Sequence, residues 1–118
     1  MKKVLVIEDE LDTAQCLDYL MNDLGYEFIQ SQIILTPAEI IKIKPDVIIL
    51  DYYLPNGHGD KLCLALKSNL LTKDIPVILM SAHNNLKDIS KGCDADAYLE
   101  KPFDLNKLIQ IVTRYATI

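Results

Sequence analysis

The sequence is short of positive charge, poor in cysteine and without any long apolar run. Its 118 residues carry 12 Lys and Arg against 17 Asp and Glu, a net charge of −5. That balance argues against a nucleic-acid partner, which wants a basic face. The cysteines, Cys16, Cys63 and Cys93, are odd in number and no two have C-x-x-C spacing. They read as free thiols in a reducing compartment, so the expected location is cytoplasmic. No stretch approaches the roughly 20 apolar residues of a membrane span, and the first residues do not resemble a signal peptide. Membrane insertion is therefore not expected. Repeats, linkers and low-complexity tracts are missing as well. A chain of this length suits one domain with one core, expected over residues 1–118 with no second domain attached. Half of the residues are apolar and a quarter charged, which is ordinary globular composition.

What is present is organised around Val47-Ile48-Ile49-Leu50-Asp51. A short run apolar at every position fits a parallel strand buried on both faces. An unpaired carboxylate is too costly inside such a strand, so Asp51 is expected just past its C-terminal end. In an open α/β sheet that edge is where ligands bind. Asp51 has a plainer reading too, as the cap of the loop Tyr52–Gly59, which is marked by Pro55, Gly57 and Gly59.

Along the chain, Val4–Ile7 is the first buried strand and ends in Glu8-Asp9-Glu10. Asp12 with Gln15 has the pattern of a helix N-cap box, and Gly25 ends that helix. Tyr26–Gln30 is a more polar strand, suited to a sheet edge. Thr36-Pro37-Ala38-Glu39 is a helix start with a cap, a Pro in the first turn and a Glu to close the box. Pro45 keeps that helix short. Asp60 is expected to begin a helix burying Leu62, Ala65, Leu66 and Leu70. Pro76-Val77-Ile78-Leu79-Met80 is another all-apolar strand, ending at Ser81. A short polar helix over residues 84–91 has little to bury besides Leu86 and Ile89. Ala97-Tyr98-Leu99 is the last strand, ending at Glu100-Lys101-Pro102. Asp104 caps a final helix whose inner face carries Leu105, Leu108, Ile109, Val112 and Ala116. Strand then helix, five times over, implies a parallel sheet with right-handed crossovers and helices on both faces.

In such a sheet all C-terminal strand ends share one rim. There the sequence places Glu8 and Asp9, Asp51, Ser81 and Lys101. Two carboxylates about 4 Å apart repel by roughly 4 kcal/mol at an effective dielectric near 20. Gathering three is costly unless a cation fills the gap, and oxygen-only ligands suit a hard ion, Mg²⁺ in particular. Lys101 adds a point charge and Ser81 a hydroxyl. Those are parts for stabilising a phosphoryl group in transfer, and a carboxylate can accept it as an aspartyl phosphate.

On these residues the whole chain resembles a receiver domain of the two-component response regulators. The acidic pair is Glu8-Asp9. The phosphoacceptor followed by Leu-Pro and a Gly loop is Asp51 with Leu54-Pro55 and Gly59. The remaining motifs are Ser81-Ala82, the switch aromatic Tyr98, and Lys101-Pro102-Phe103, whose Lys-Pro bond is typically cis in the family. Two positions depart from the family pattern: Glu8 stands for the commoner Asp, and Asp94 for a Gly. The resemblance implies an α/β, flavodoxin-like fold with a five-stranded parallel sheet in the order 2-1-3-4-5. It also implies a Mg²⁺-dependent phosphoacceptor rather than an enzyme with an external substrate. A histidine kinase or histidine phosphotransfer protein would supply the phosphoryl to Asp51. Asp9, Asp51 and the carbonyl of Tyr53 would ligate the metal, and Glu8 would act through water. Lys101 and Ser81 would hold the phosphoryl oxygens. Ser81 and Tyr98 would form the switch, reporting to a separate effector protein. Tyr53 and His83 stand where family members tune phosphorylation and hydrolysis rates. Surfaces around Lys87, Lys91, Lys107 and Gln110 are candidate docking sites.

Two rival readings remain at the level of sequence. One is a Mg²⁺-dependent phosphohydrolase, although such enzymes tend to place a second Asp where Tyr53 stands and to carry a cap. The other is a pseudo-receiver that binds proteins without taking phosphate.

Overall fold

A computed structural model of the protein describes residues 1–116. Its main sheet holds β1 (Lys3–Ile7), β2 (Glu27–Ser31), β3 (Val47–Asp51), β6 (Val77–Ser81) and β7 (Ala97–Glu100). Between β3 and β6 a small antiparallel hairpin forms from β4 (Tyr53–Leu54) and β5 (Gly57–His58). The main sheet runs β2-β1-β3-β6-β7, all pairs parallel. This is the expected order, once the hairpin strands are set aside. The helices are α1 (Leu11–Asp23), α2 (Pro37–Ile43), α3 (Gly59–Lys67), α4 (Leu86–Gly92) and α5 (Leu105–Ala116).

Strand alternation sorts the core into two layers. Val4, Val6, Val47, Ile49, Ile78 and Met80 face one side. There they meet Leu17 and Met21 of α1 and Leu108, Val112 and Ala116 of α5. Leu5, Ile7, Ile48, Leu50, Val77 and Leu79 face the other side, against Ile40 of α2, Leu62, Cys63 and Leu66 of α3, and Leu86 of α4. Every residue of β3 is buried, so its run of apolar side chains serves both layers at once. Each such side chain contributes roughly 1.5–3 kcal/mol by leaving water. The helices therefore cover both faces, as expected.

The local signals held where the chemistry was specific. At α2 the Thr36 Oγ1 accepts from the Glu39 N–H at 3.2 Å, and the Glu39 carboxylate accepts from the Thr36 N–H at 3.0 Å. Lys44 turns left-handed at φ 56° ahead of Pro45, and Asp94 does the same at φ 60°. The Lys101–Pro102 bond is cis. Asp104 caps α5, its carboxylate accepting from the Asn106 N–H at 2.9 Å.

Other expectations need correcting. The N-cap of α1 is Glu10, not Asp12, which sits inside the first turn. Helix α3 begins at Gly59 and ends at Lys67, so Leu70 lies beyond it and is 82% exposed. Ala65 is exposed and Cys63 is buried, because the inward stripe runs through Gly59, Leu62, Cys63 and Leu66, the i, i+3, i+4, i+7 spacing of one helix face. Leu105, at the first turn of α5, is half exposed. Asp51 is the last residue of β3 rather than the first beyond it.

Candidate functional site

The site grows from the way β1, β3 and β7 stop at one rim of the sheet. Strand β1 ends at Ile7, and Glu8 still continues the ladder, its N–H donating to the Ser31 carbonyl at 2.9 Å. The Glu8 side chain is thereby turned inward and is fully buried, whereas Asp9 is exposed. Asp51 closes β3, in register with Met80 of β6, and is 5% exposed. Past β7, the Lys101 N–H donates to the Ser81 carbonyl at 2.9 Å, which fixes where its side chain starts.

That side chain reaches across the rim. The Lys101 ammonium donates to Glu8 Oε1 at 2.5 Å and to Asp51 Oδ2 at 3.2 Å. The carboxylates of Glu8, Asp9 and Asp51 each place an oxygen within 4.8 Å of the others. They open onto a cleft of about 470 Å³, lined also by Glu10, Tyr53, Ala82 and Lys101. Three carboxylates thus gather beside one ammonium that touches two of them, so the cluster keeps an excess of negative charge. Burial pushes the Glu8 carboxyl above its ordinary value, and the neighbouring Asp51 carboxyl pushes the same way, outweighing Lys101. Burial works against the Lys101 ammonium, but Glu8 and Asp51 more than offset it and hold its pKa above the ordinary lysine value. An added hard cation among all-oxygen donors would relieve this crowding, so the residues fit Mg²⁺.

Ser81 and Tyr98 are placed differently. Ser81 ends β6 one residue beyond the partner of Asp51 and is fully buried. Its hydroxyl accepts from the His83 N–H at 3.0 Å, and the cleft is lined by Ala82 in its place. The Ser81 hydroxyl is thus close in the fold but turned into the following loop. Tyr98 sits mid-strand in β7, in register with Leu79, and packs half-buried against the layer under α4.

Beside Asp51 stands a group of rings that the sequence reading divided up. Tyr53 and His58 face each other across the hairpin. Tyr52 stacks on His58 at 4.7 Å with planes 2° apart, and Tyr53 stacks on His83 at 6.1 Å. Tyr52 meets both Tyr53 and His83 edge-on. Neither His58 nor Tyr52 belongs to any of the sequence motifs. The available signal was two Tyr directly after one strand end and a His two residues after the other. Gly59 is the further residue whose role became visible only in space. A Cβ there would collide with the Asp51 carbonyl, so α3 can start directly behind the carboxylate only with Gly.

A family profile described as response regulator receiver domain matches residues 4–113. Among similar proteins, the DNA-binding dual master transcriptional regulator RpaA of Synechocystis sp. is 32% identical over 92% of this chain and 46% of its own length. The chain spans about half the length of the transcriptional regulators it matches in this way. Sporulation initiation phosphotransferase F of Bacillus subtilis is 29% identical over 97% of this chain and 93% of its own. The solved structure of chemotaxis protein CheY4 of Vibrio cholerae superposes with a TM-score of 0.82 at 25% identity, covering 98% of each chain. Fold, rim and similarity agree: the chain belongs to the response regulator receiver domains, the phosphoacceptor switches of two-component signalling.

Proposed function

We propose that Asp51 is the phosphoacceptor, receiving its phosphoryl group from a histidine kinase or histidine phosphotransfer protein. The observation that carries this reading is the Lys101 ammonium bridging Glu8 and Asp51 at the same rim that presents Asp9. Asp9, Asp51 and the Tyr53 carbonyl would hold Mg²⁺, with Glu8 acting through water. When bound, the ion supplies positive charge to the oxygens of the phosphoryl group. An Asp51 carboxylate oxygen attacks the phosphorus of a phosphohistidine. The new P–O bond forms as the P–N bond breaks, and the leaving imidazole nitrogen keeps the electron pair and takes a proton. Lys101, already tethered beside Asp51, steadies the negative charge on the transferred group. The buried Glu8 carboxylate keeps the ammonium aimed at that spot. Ser81 joins the phosphoryl oxygens by turning its hydroxyl away from the His83 N–H, and Tyr98 responds on the neighbouring strand.

On this reading residues 1–118 act as one receiver domain in the cytoplasm and turn over no external substrate. The surface change is read by a separate effector protein. Neither nucleic acid nor membrane is a direct partner, and no helix among the described residues is long and apolar enough to cross a membrane. Incubation with acetyl phosphate or phosphoramidate and Mg²⁺ should add a single acid-labile phosphoryl group, read by intact mass. An Asp51→Asn protein should remain unmodified, and labelling of that variant would refute the assignment. A phosphohydrolase reading finds no acid–base partner two residues past Asp51, where Tyr53 stands.

A further inference from the structure

Two buried thiols meet on the side of the sheet covered by α2, α3 and α4, and the phosphoryl chemistry uses neither. Cys63, midway along α3, is fully buried, and Cys93, the C-cap of α4, is 3% exposed. Both pack in the same apolar layer. The Cys63 S–H donates to the Cys93 carbonyl at 3.3 Å, across 30 residues of sequence. A sulfur that touches a cysteine's carbonyl lies within side-chain reach of that cysteine's own sulfur. The two thiols act on each other. Their mutual hydrogen bond is the first cause both of Cys63 standing above its ordinary pKa and of Cys93 standing below its own. Cys63 is therefore the proton donor of the pair. Cys93 carries more thiolate character, the reactive form of a cysteine.

The cover over this pair is thin on one side. Helix α4 has only seven residues. In its last turn the Cys93 N–H donates to the Ile89 carbonyl and the Asp94 N–H to the Lys91 carbonyl, both at 3.3 Å. Those bonds are longer than the usual length of about 2.9–3.0 Å. Lys91, Gly92 and Asp94 are exposed. Such a turn opens locally more readily than the strands beneath it, and its opening uncovers Cys93 first. The third cysteine, Cys16, is exposed on α1, across the sheet from the pair.

We propose that Cys63 and Cys93 are a redox-active dithiol that closes reversibly to a disulfide, tying α3 to the junction between α4 and β7. The oxidant is a peroxide. The Cys93 thiolate attacks one peroxide oxygen. The S–O bond forms as the O–O bond breaks, and the departing hydroxide takes a proton to become water. The Cys63 sulfur then attacks the sulfenic sulfur of Cys93. The S–S bond forms as the S–O bond breaks, and the hydroxide leaves with the Cys63 proton as a second water. Two thiols and one peroxide thus give one disulfide and two waters, with two electrons passing from sulfur to oxygen. A dithiol reductant restores both thiols by exchange.

The test treats the folded protein with hydrogen peroxide, quenches it and counts thiols after unfolding. Titratable thiols should fall from three to one, with Cys16 the survivor. The mass should drop by two hydrogens, and a peptide map should show Cys63 joined to Cys93. Dithiothreitol should restore all three thiols. In the oxidised form, hydrogen exchange at Cys93, Asp94 and Ala95 should slow by about tenfold, because the last turn of α4 no longer opens freely. A Cys63→Ala protein should instead gain oxygen at Cys93, and the wild-type map decides the linkage even where that variant does not fold. Oxidation confined to Cys16, a sulfinic acid at Cys93 with Cys63 still free, linkage formed only in the unfolded chain, or unchanged exchange would each overturn the proposal. Its effect on signalling rests on the Asp51 reading, since the tied junction leads into β7 and Tyr98. Beryllofluoride with Mg²⁺ should shift the Tyr98 amide less in the oxidised protein than in the reduced one. Equal shifts in both forms would overturn redox control of the switch, whereas no shift in either form counts against the Asp51 reading alone.

Discussion

Among the rim carboxylates, Glu8 is fully buried while Asp9 is exposed. A buried carboxylate is tolerated only with a partner, and Lys101 serves Glu8 and Asp51 together. Because the pKa of Glu8 is raised above its ordinary 4.5, its contribution to stability is fully present below that pH. It is lost as pH rises through the higher folded value. Glu8→Gln should therefore raise the melting temperature of the metal-free protein at pH 7, and the gain over wild type should disappear below pH 4.5. A variant less stable than wild type at neutral pH would show that the Lys101 pairing outweighs burial. The sequence revealed these charges individually. It did not reveal that Glu8 would be the hidden one and Asp9 the open one, because that depends on Glu8 extending the β1 ladder to Ser31.

At the level of elements, two joints stand out, one directly behind the site and one at the start of α2. Helix α3 starts on the back of Asp51, and Gly59 is where they touch. Gly59→Ala should cost about 1–3 kcal/mol, as overpacking does, and should slow Asp51 modification by displacing the carboxylate. Chemical denaturation and the labelling rate report the two effects separately. The other joint is the capping box of α2. The Thr36 N–H and hydroxyl hold the Glu39 carboxyl below its ordinary 4.5. The stability it lends is present above that pH and is lost as pH falls through the lower folded value. Glu39→Gln should therefore destabilise the protein at pH 7 and converge on wild type in acid, in melts run in parallel. The Thr-Pro-Ala-Glu signal was legible because capping is a contact within one turn. The failed Asp12 cap had the same local spacing. There the chain leaving Asp9 enters the helix two residues sooner, with Glu10 at the cap.

For the molecule as a whole, the rim behaves as a single electrostatic object. Mg²⁺ binding to the folded rim alone should raise stability by about 2.7 kcal/mol at a hundredfold excess over its dissociation constant. For a domain of this size that is a melting shift on the order of 10 °C, and Ca²⁺-free Mg²⁺ titrations followed by calorimetry would measure it. An Asp9→Asn protein should lose most of the shift; an unchanged shift would place the ion elsewhere. Unbroken apolar runs such as Val47–Leu50 and Val77–Met80, and the alternation of strand with helix, determined from sequence alone that a parallel sheet would form with its helices on both faces. They did so because period and hydrophobicity are properties of consecutive residues. Which polar atoms meet was decided only by tertiary structure. Lys101 finds Glu8 across a sequence separation of 93 residues, and the Ser81 hydroxyl turns toward His83 instead of the cleft. Such pairings depend on strand order, register and the direction in which each side chain leaves the rim, and no run of neighbouring residues encodes those.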